Sequence, residues 1–113
     1  MRALLVFLVL LGACASQRGT IGAVLGQGSD QRLYVREIPE GLAADRAGLE
    51  VGDEILTIDG KDVRSMTPAG VHDALAGVVG EPVKLTLIRK GQVVRVTVKR
   101  TAAQKYSLRK EGQ

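Results

Sequence analysis

Between Gly41 and Gly60 the chain is interrupted at Gly41, Gly48, Gly52-Asp53 and Asp59-Gly60, so that no stretch between interruptions exceeds six residues. A segment of that size supplies one ordinary strand, or fewer than two turns of helix. Long helices are therefore excluded from the middle of the chain. Leu42 to Ala47 reads as a short helix closed by Gly48. Buried Ala43, Ala44 and Ala47 would let that helix lie close to a sheet, and Gly48 turns the chain into Leu49. Gly52-Asp53 reverses the chain into a strand from Asp53 to Ile58, with Ile55 and Leu56 flanking the core. Asp59-Gly60 is a hairpin signal, because both central residues of that turn need positive φ. Lys61-Asp62-Val63 begins the return strand.

The same punctuation continues on either side. Ile21 to Leu25 is a small aliphatic stretch containing Gly22, and Gln27-Gly28-Ser29-Asp30 is turn chemistry. Leu33 to Ile38 has strand propensity, with Leu33, Val35 and a shifted Ile38 as core contacts, and Pro39-Glu40-Gly41 ends it. Thr67-Pro68 supplies an N-cap and a first helical residue for a second short helix to about Ala76, ending at Gly77. Val83, Leu85 and Leu87 alternate to one face, and Lys90-Gly91 turns the chain into an alternating partner from Val93 to Lys99. With 113 residues there is room for one domain. Aromatics are 3% and Trp is absent, so the core must be aliphatic. These elements predict a mainly β domain with two short helices.

Several functions are excluded by what the sequence lacks. One Cys rules out an internal disulfide framework and a four-thiolate zinc site, and one His, His72, rules out a multi-histidine metal site. No serine lies in a Gly-x-Ser-x-Gly elbow, and His72 is the only imidazole available as a base. The glycines from Gly22 to Gly28 include no P-loop lysine and no dinucleotide fingerprint. Aromatic platforms for nucleic acid are missing. The chain therefore reads as a binding module without catalytic residues, metal or cofactor.

The N-terminus reads as an address. Arg2 supplies a positive charge, Ala3 to Leu11 is apolar, and small residues follow. The apolar run is shorter than the roughly 20 residues that span a bilayer. Leu11-Gly12-Ala13-Cys14 resembles the lipobox of bacterial lipoproteins. The resemblance implies cleavage before Cys14, a diacylglyceryl group on its sulfur, acylation of its new amine and attachment to a membrane. Ala15 is not the Asp that retains many such proteins in the inner membrane, which implies an outer-membrane position facing the periplasm. The competing reading is Ala13-Cys14-Ala15 as the cleavage site of a soluble secreted protein.

Gly41-Leu42-Ala43-Ala44 to Ala47-Gly48-Leu49, then Val51-Gly52-Asp53-Glu54-Ile55-Leu56, then Ile58-Asp59-Gly60-Lys61-Asp62-Val63, resembles the PDZ domain family as found in bacterial proteases. The resemblance implies a single PDZ-like, partly open barrel or sandwich over residues 19–100. It follows a signal peptide at 1–13 and an anchor or linker at 14–18. A basic tail at 101–113 remains, either frayed or supplying a permuted terminal strand, for which Tyr106 and Leu108 alternate suitably. PDZ domains bind the free C-terminus of a partner by strand addition beside one helix. Carried over, the carboxylate loop falls at Thr20, Ile21, Gly22 and Ala23, the added strand pairs with Ala23 to Leu25, and the groove is completed by Val24, Leu25, Pro68, His72 and Leu75. Val71 and Ala74 are expected to turn to the core. Two departures bear on specificity. Ala23 stands where the family carries a larger apolar residue, which implies a roomier terminal pocket. Pro68 stands where some members carry a His that selects Ser or Thr, so that selection is not expected and an apolar-leaning ligand tail is. For His72 the plain alternative is a solvated surface residue.

Charge is unevenly spread. Residues 30–81 hold 11 acids and 5 bases, a net −6, whereas residues 84–113 hold 9 bases and 1 acid, a net +8. Arg89, Lys90, Arg95, Lys99 and Arg100 fall on the last hairpin. They read either as a solvated strand face or as attraction to anionic lipid or an acidic partner. The function expected is a lipid-anchored envelope adaptor binding extended C-terminal peptides. The alternatives are an interaction domain using its outer surface with an unused groove, or a regulatory subunit of a periplasmic protease.

Overall fold

A computed structural model of the chain describes residues 18–102. The segment expected to be a signal peptide, Cys14, Tyr106 and Leu108 lie outside the described residues. The described residues form nine strands: β1 (Arg18–Thr20), β2 (Val24–Gln27), β3 (Leu33–Glu37), β4 (Glu54–Ile58), β5 (Lys61–Asp62), β6 (Gly77–Val78), β7 (Pro82–Arg89), β8 (Gln92–Lys99) and β9 (Thr101–Ala102). Helix α1 (Ala43–Ala47) lies between β3 and β4, and α2 (Pro68–Leu75) between β5 and β6. A 3-10 turn, Val63–Ser65, follows β5.

The larger sheet runs β2-β3-β4-β7-β8, with β5 paired to β4, and the smaller runs β6-β1-β9. Every pairing is antiparallel and the sheets do not close into a barrel, which is the mainly β architecture with two helices that the sequence predicts. The hairpin from β4 to β5 turns on Asp59 (φ 49°) and Gly60 (φ 82°), the two positive φ values that this turn requires. Asp59 adds a tie of its own, accepting from the Lys84 amide at 2.9 Å.

In the β7–β8 ladder Val83, Leu85 and Leu87 stand opposite Val98, Val96 and Val94. Alternation turns these toward the helices and leaves Lys84, Thr86, Arg95 and Thr97 on the outward face. Val83, Leu85, Leu87 and Val98 join Ile21, Leu33, Val35, Ala43, Ala44, Leu49, Ile55, Ile58, Val63, Val71 and Leu75 in one aliphatic core, with Val94, Val96, Ile38, Ala47 and Ala74 packed against it. Each fully buried Leu, Ile or Val contributes about 1.5–3 kcal/mol relative to exposure.

Two arginines expected on the basic surface of the last hairpin are instead inside the structure's joints. Arg89 forks onto Asp53, with Nε donating to Oδ1 at 2.9 Å and Nη2 to Oδ2 at 2.8 Å. Nη2 also donates to the Gly48 carbonyl at 3.0 Å, and Glu50 lies 3.4 Å from Nη1. Asp53 is only 2% exposed. Its burial is the largest single influence and would raise its pKa. The Arg89 hydrogen bonds, the Glu50 amide and the Arg89 charge together outweigh that and hold the carboxyl below its ordinary value. The fork ties β7 to the turn entering β4, a role for Asp53 beyond the chain reversal and strand start that the sequence predicts. Arg100 is buried and donates from Nε to the Leu75 carbonyl at 2.7 Å, with longer contacts to Pro82 O and Ala74 O. Carbonyls at a helix C-terminus carry partial negative charge, so a cation there closes α2, where Gly77 enters β6 without taking the left-handed φ of a glycine cap.

Candidate functional site

Strand β2 is the end strand of the larger sheet, and among the described residues it pairs only with β3. One row of its backbone groups therefore has no ladder partner. Helix α2 faces that edge. It starts where Thr67 accepts the Gly70 amide on its hydroxyl at 3.0 Å, with Pro68 as the first helical residue. Val71 and Leu75, one turn apart, are buried, whereas the His72 side chain is 75% exposed.

Between β2 and α2 runs a groove of about 230 Å³. From the β2 side its wall is Ala23, Leu25 and Gln27; from α2 it is Pro68, Val71, His72 and Leu75. Leu33 forms part of the floor, and Thr20 and Ile21 stand at the head. Most of the wall is apolar, and the polar side chains are those of Thr20, Gln27 and His72. Thr20, Ile21, Ala23, Leu25, Pro68, His72 and Leu75, all expected from the sequence, thus meet at one site.

Two expected residues do not contribute side chains. Val24 is half-buried on β2 but is not part of the wall. A strand alternates its faces with period two, so Ala23, Leu25 and Gln27 share the groove face and Val24 takes the other. Gly22 is also absent from the wall. It has φ +70°, and a Cβ placed there would come within 2.6 Å of Leu42 Cβ. Glycine is required by both the backbone conformation and the close approach of the α1 entry. The loop is fixed from the other side by the Ala44 amide, which donates to the Ile21 carbonyl at 2.7 Å. Gly22 and Ala23 belong to no strand, and among the described residues no carbonyl accepts from their amides. A pair of bare amides at the closed end of an apolar groove is a place for an anionic group.

Val71 was expected to turn to the core and Leu75 to the groove. Both do both: each is at most 5% exposed, belongs to the core and borders the groove. Gln27 and Leu33 were not anticipated as wall residues. The period-two count from Ala23 reaches Gln27, but the adjacent Gly28-Ser29-Asp30 gave it the appearance of a turn residue. β9 runs beside β1, with Gly19 opposite Ala102 and Thr20 opposite Thr101, so the chain leaving β8 returns to brace the loop. Among the described residues no group of three His, Cys, Asp or Glu side chains is placed to hold a metal ion. No helix among them is long and apolar enough to cross a membrane.

Residues 14–88 match the model of the PDZ domain family. Tax1-binding protein 3 of Homo sapiens is 34% identical over 77 residues, covering 68% of this chain and 53% of that protein. Tight junction protein ZO-3 of Canis lupus familiaris is 31% identical over 91 residues, which are 80% of this chain and 10% of that protein. The chain thus spans about half, or a tenth, of the curated relatives that it matches. Among solved structures, the photosystem II D1 C-terminal processing protease superposes with a TM-score of 0.70 at 26% identity, covering 83% of this chain and 26% of the protease. The PDZ domain of the carboxy-terminal protease from Vibrio cholerae, solved in complex with a peptide, gives a TM-score of 0.62 at 28% identity over 76% of this chain and 95% of that domain.

Proposed function

Because the chain belongs to the PDZ domain family, we propose that it is a non-enzymatic adaptor that binds extended C-terminal peptides of partner proteins in the β2–α2 groove. The observation that carries this reading is the open edge of β2 facing α2 across an apolar groove, with the Gly22 and Ala23 amides, unpartnered among the described residues, at its closed end. A peptide laid antiparallel to β2 would complete the sheet. Its terminal carboxylate would take the bare amides, and its last side chain would enter the space among Ile21, Ala23, Val71 and Leu75. That lining favours an apolar last residue, and the small Ala23 side chain leaves room for a large one. His72, mostly exposed on the rim, would meet the ligand at its solvent side.

In this reading the protein is held at the bacterial cell envelope by a covalent lipid on Cys14, on the periplasmic side of the outer membrane. The support is the apolar run and lipobox-like Leu11-Gly12-Ala13-Cys14. Two or more acyl chains hold a protein stably, at about 0.8 kcal/mol per buried CH₂. Partners would be proteins presenting free C-termini in that compartment, and nucleic acid has no place in it.

The test is fluorescence anisotropy with a library of peptides ending in a free carboxylate, compared with the same peptides as C-terminal carboxamides. Loss of charge-assisted hydrogen bonds at the loop should weaken the carboxamides by at least about tenfold. Equal binding of both forms would contradict the reading. A second reading uses the outward face of the β7–β8 hairpin, where Val93 is 61% exposed and Lys84 and Arg95 have no acid within ion-pair distance among the described residues. A partner captured equally well with the groove saturated by peptide would favour that face.

A further inference from the structure

Gln27 is the last residue of β2, and its side chain forms part of the groove wall at the end away from the Gly22 loop. Its amide nitrogen donates to the main-chain carbonyls of Gln31 and Met66, both at 3.3 Å. A carbonyl oxygen accepts only, so the NH₂ group and not Oε1 must face these two partners. That orientation leaves Oε1 covered by the protein and without a donor. Among the described residues it is the one buried side-chain polar atom so left. Folded proteins leave few such atoms unpaired. The two bonds that hold the side chain are also beyond the usual N–H···O range. The resting position is weakly held, and a donor offered in the groove gives the side chain reason to turn.

We infer that Gln27 is a specificity-determining residue of the groove, whose side-chain oxygen turns to accept a hydrogen bond from a donor-bearing side chain on the fifth residue from the ligand's C-terminus. The inference rests on the reading of the groove as a site for C-terminal peptides. The position follows from strand geometry. With the last ligand residue beside Ala23, the residue two earlier lies beside Leu25 and the residue four earlier beside Gln27, all on one face. Around Gln27 the wall is Leu25 and Leu33, which offer no side-chain acceptor. A ligand hydroxyl, amide or ammonium there has Gln27 as its partner, whereas an apolar side chain leaves Oε1 unpaired.

The experiment screens the full chain against heptapeptides that end in a free carboxylate on Leu and are randomised elsewhere. It then measures two fluorescein-labelled peptides, Gly-Gly-Thr-Ala-Val-Ala-Leu and the same peptide with Val for Thr. The wild type should enrich Ser, Thr, Asn or Lys at the fifth position from the end and bind the Thr peptide roughly fivefold more tightly than the Val peptide. Gln27→Met keeps length and packing without an acceptor, and should bind the two within about twofold. Gln27→Glu restores an acceptor and should restore the preference. Equal binding by the wild type, or the same preference in Gln27→Met, overturns the role of Gln27 while leaving the groove in place. A screen that enriches no carboxylate peptide overturns the groove reading, and this inference with it.

Discussion

Replacing Arg89 by Met tests the joint that aligns β4 with β7. The substitution removes two charge-assisted hydrogen bonds to Asp53, at 2.9 and 2.8 Å, and one bond to the Gly48 carbonyl at 3.0 Å. It leaves the Asp53 carboxylate, 2% exposed, with only the Glu50 amide at 2.9 Å. Each charge-assisted bond contributes about 1.5–3 kcal/mol. Arg89 keeps 23% of its side chain in solvent, which discounts the sum. A loss of about 3 kcal/mol follows, at the lower end for breaking a buried ion pair. For a domain of this size that is a large part of a total of about 5–15 kcal/mol. With a slope near 1 kcal/mol per molar urea, the midpoint should fall by about 3 M. The pH dependence separates an orphaned charge from a simple packing defect. In the wild type Asp53 lies below its ordinary pKa, so its contribution is present above the unfolded value and is lost as pH falls through the lowered folded value. In Arg89→Met burial prevails, the carboxyl takes a proton earlier, and the penalty fades in acid. Urea melts at about pH 7 and about pH 3.5 should therefore show the gap between the two proteins narrowing on acidification. A gap below about 1 kcal/mol, or one constant with pH, would refute the reasoning.

Three other outcomes are expected. Gly22→Ala places a Cβ within 2.6 Å of Leu42 Cβ at a φ of +70°; thermal melts should show a loss of about 2 kcal/mol or more, and the variant should bind carboxylate peptides less tightly. Arg100→Met removes the cation that closes α2 and should speed hydrogen exchange at the last turn of that helix; Arg100→Lys should recover part of the protection, and unchanged exchange in both would deny Arg100 this role. Cys14→Ser should abolish incorporation of labelled palmitate in bacterial cells; labelling that persists would remove the proposed anchor.

What the sequence made legible is what local chemistry decides. Asp59-Gly60 fixes a hairpin through its own φ values, Thr67-Pro68 starts α2 through its own hydroxyl and ring, and the alternation of Val83, Leu85 and Leu87 marks the inner face of β7. The groove residues were reachable through the motif around Ala47-Gly48-Leu49, because that motif sets where β2 and α2 fall. The illegible parts depend on residues distant in sequence. Asp53 and Arg89 are 36 positions apart, and Arg100 is 25 from the carbonyl that it closes, so neither arginine differs from ordinary surface charge until the fold joins it to its partner. Val24 and Gln27 mark a different limit. Their assignment turned on which of two alternating faces meets α2 and on whether β2 ends before or after Gln27, and a single shift of register exchanges one for the other.

In the proposed function a foreign C-terminus joins the open edge of β2. Its most direct test follows backbone amide resonances of the isotope-labelled chain as a free-carboxylate heptapeptide is added. Gly22 and Ala23 should shift most, β2 amides should gain exchange protection, and the carboxamide form should produce neither effect. Shifts confined to the outward face of β7 and β8, with Gly22, Ala23 and β2 unmoved, would contradict it.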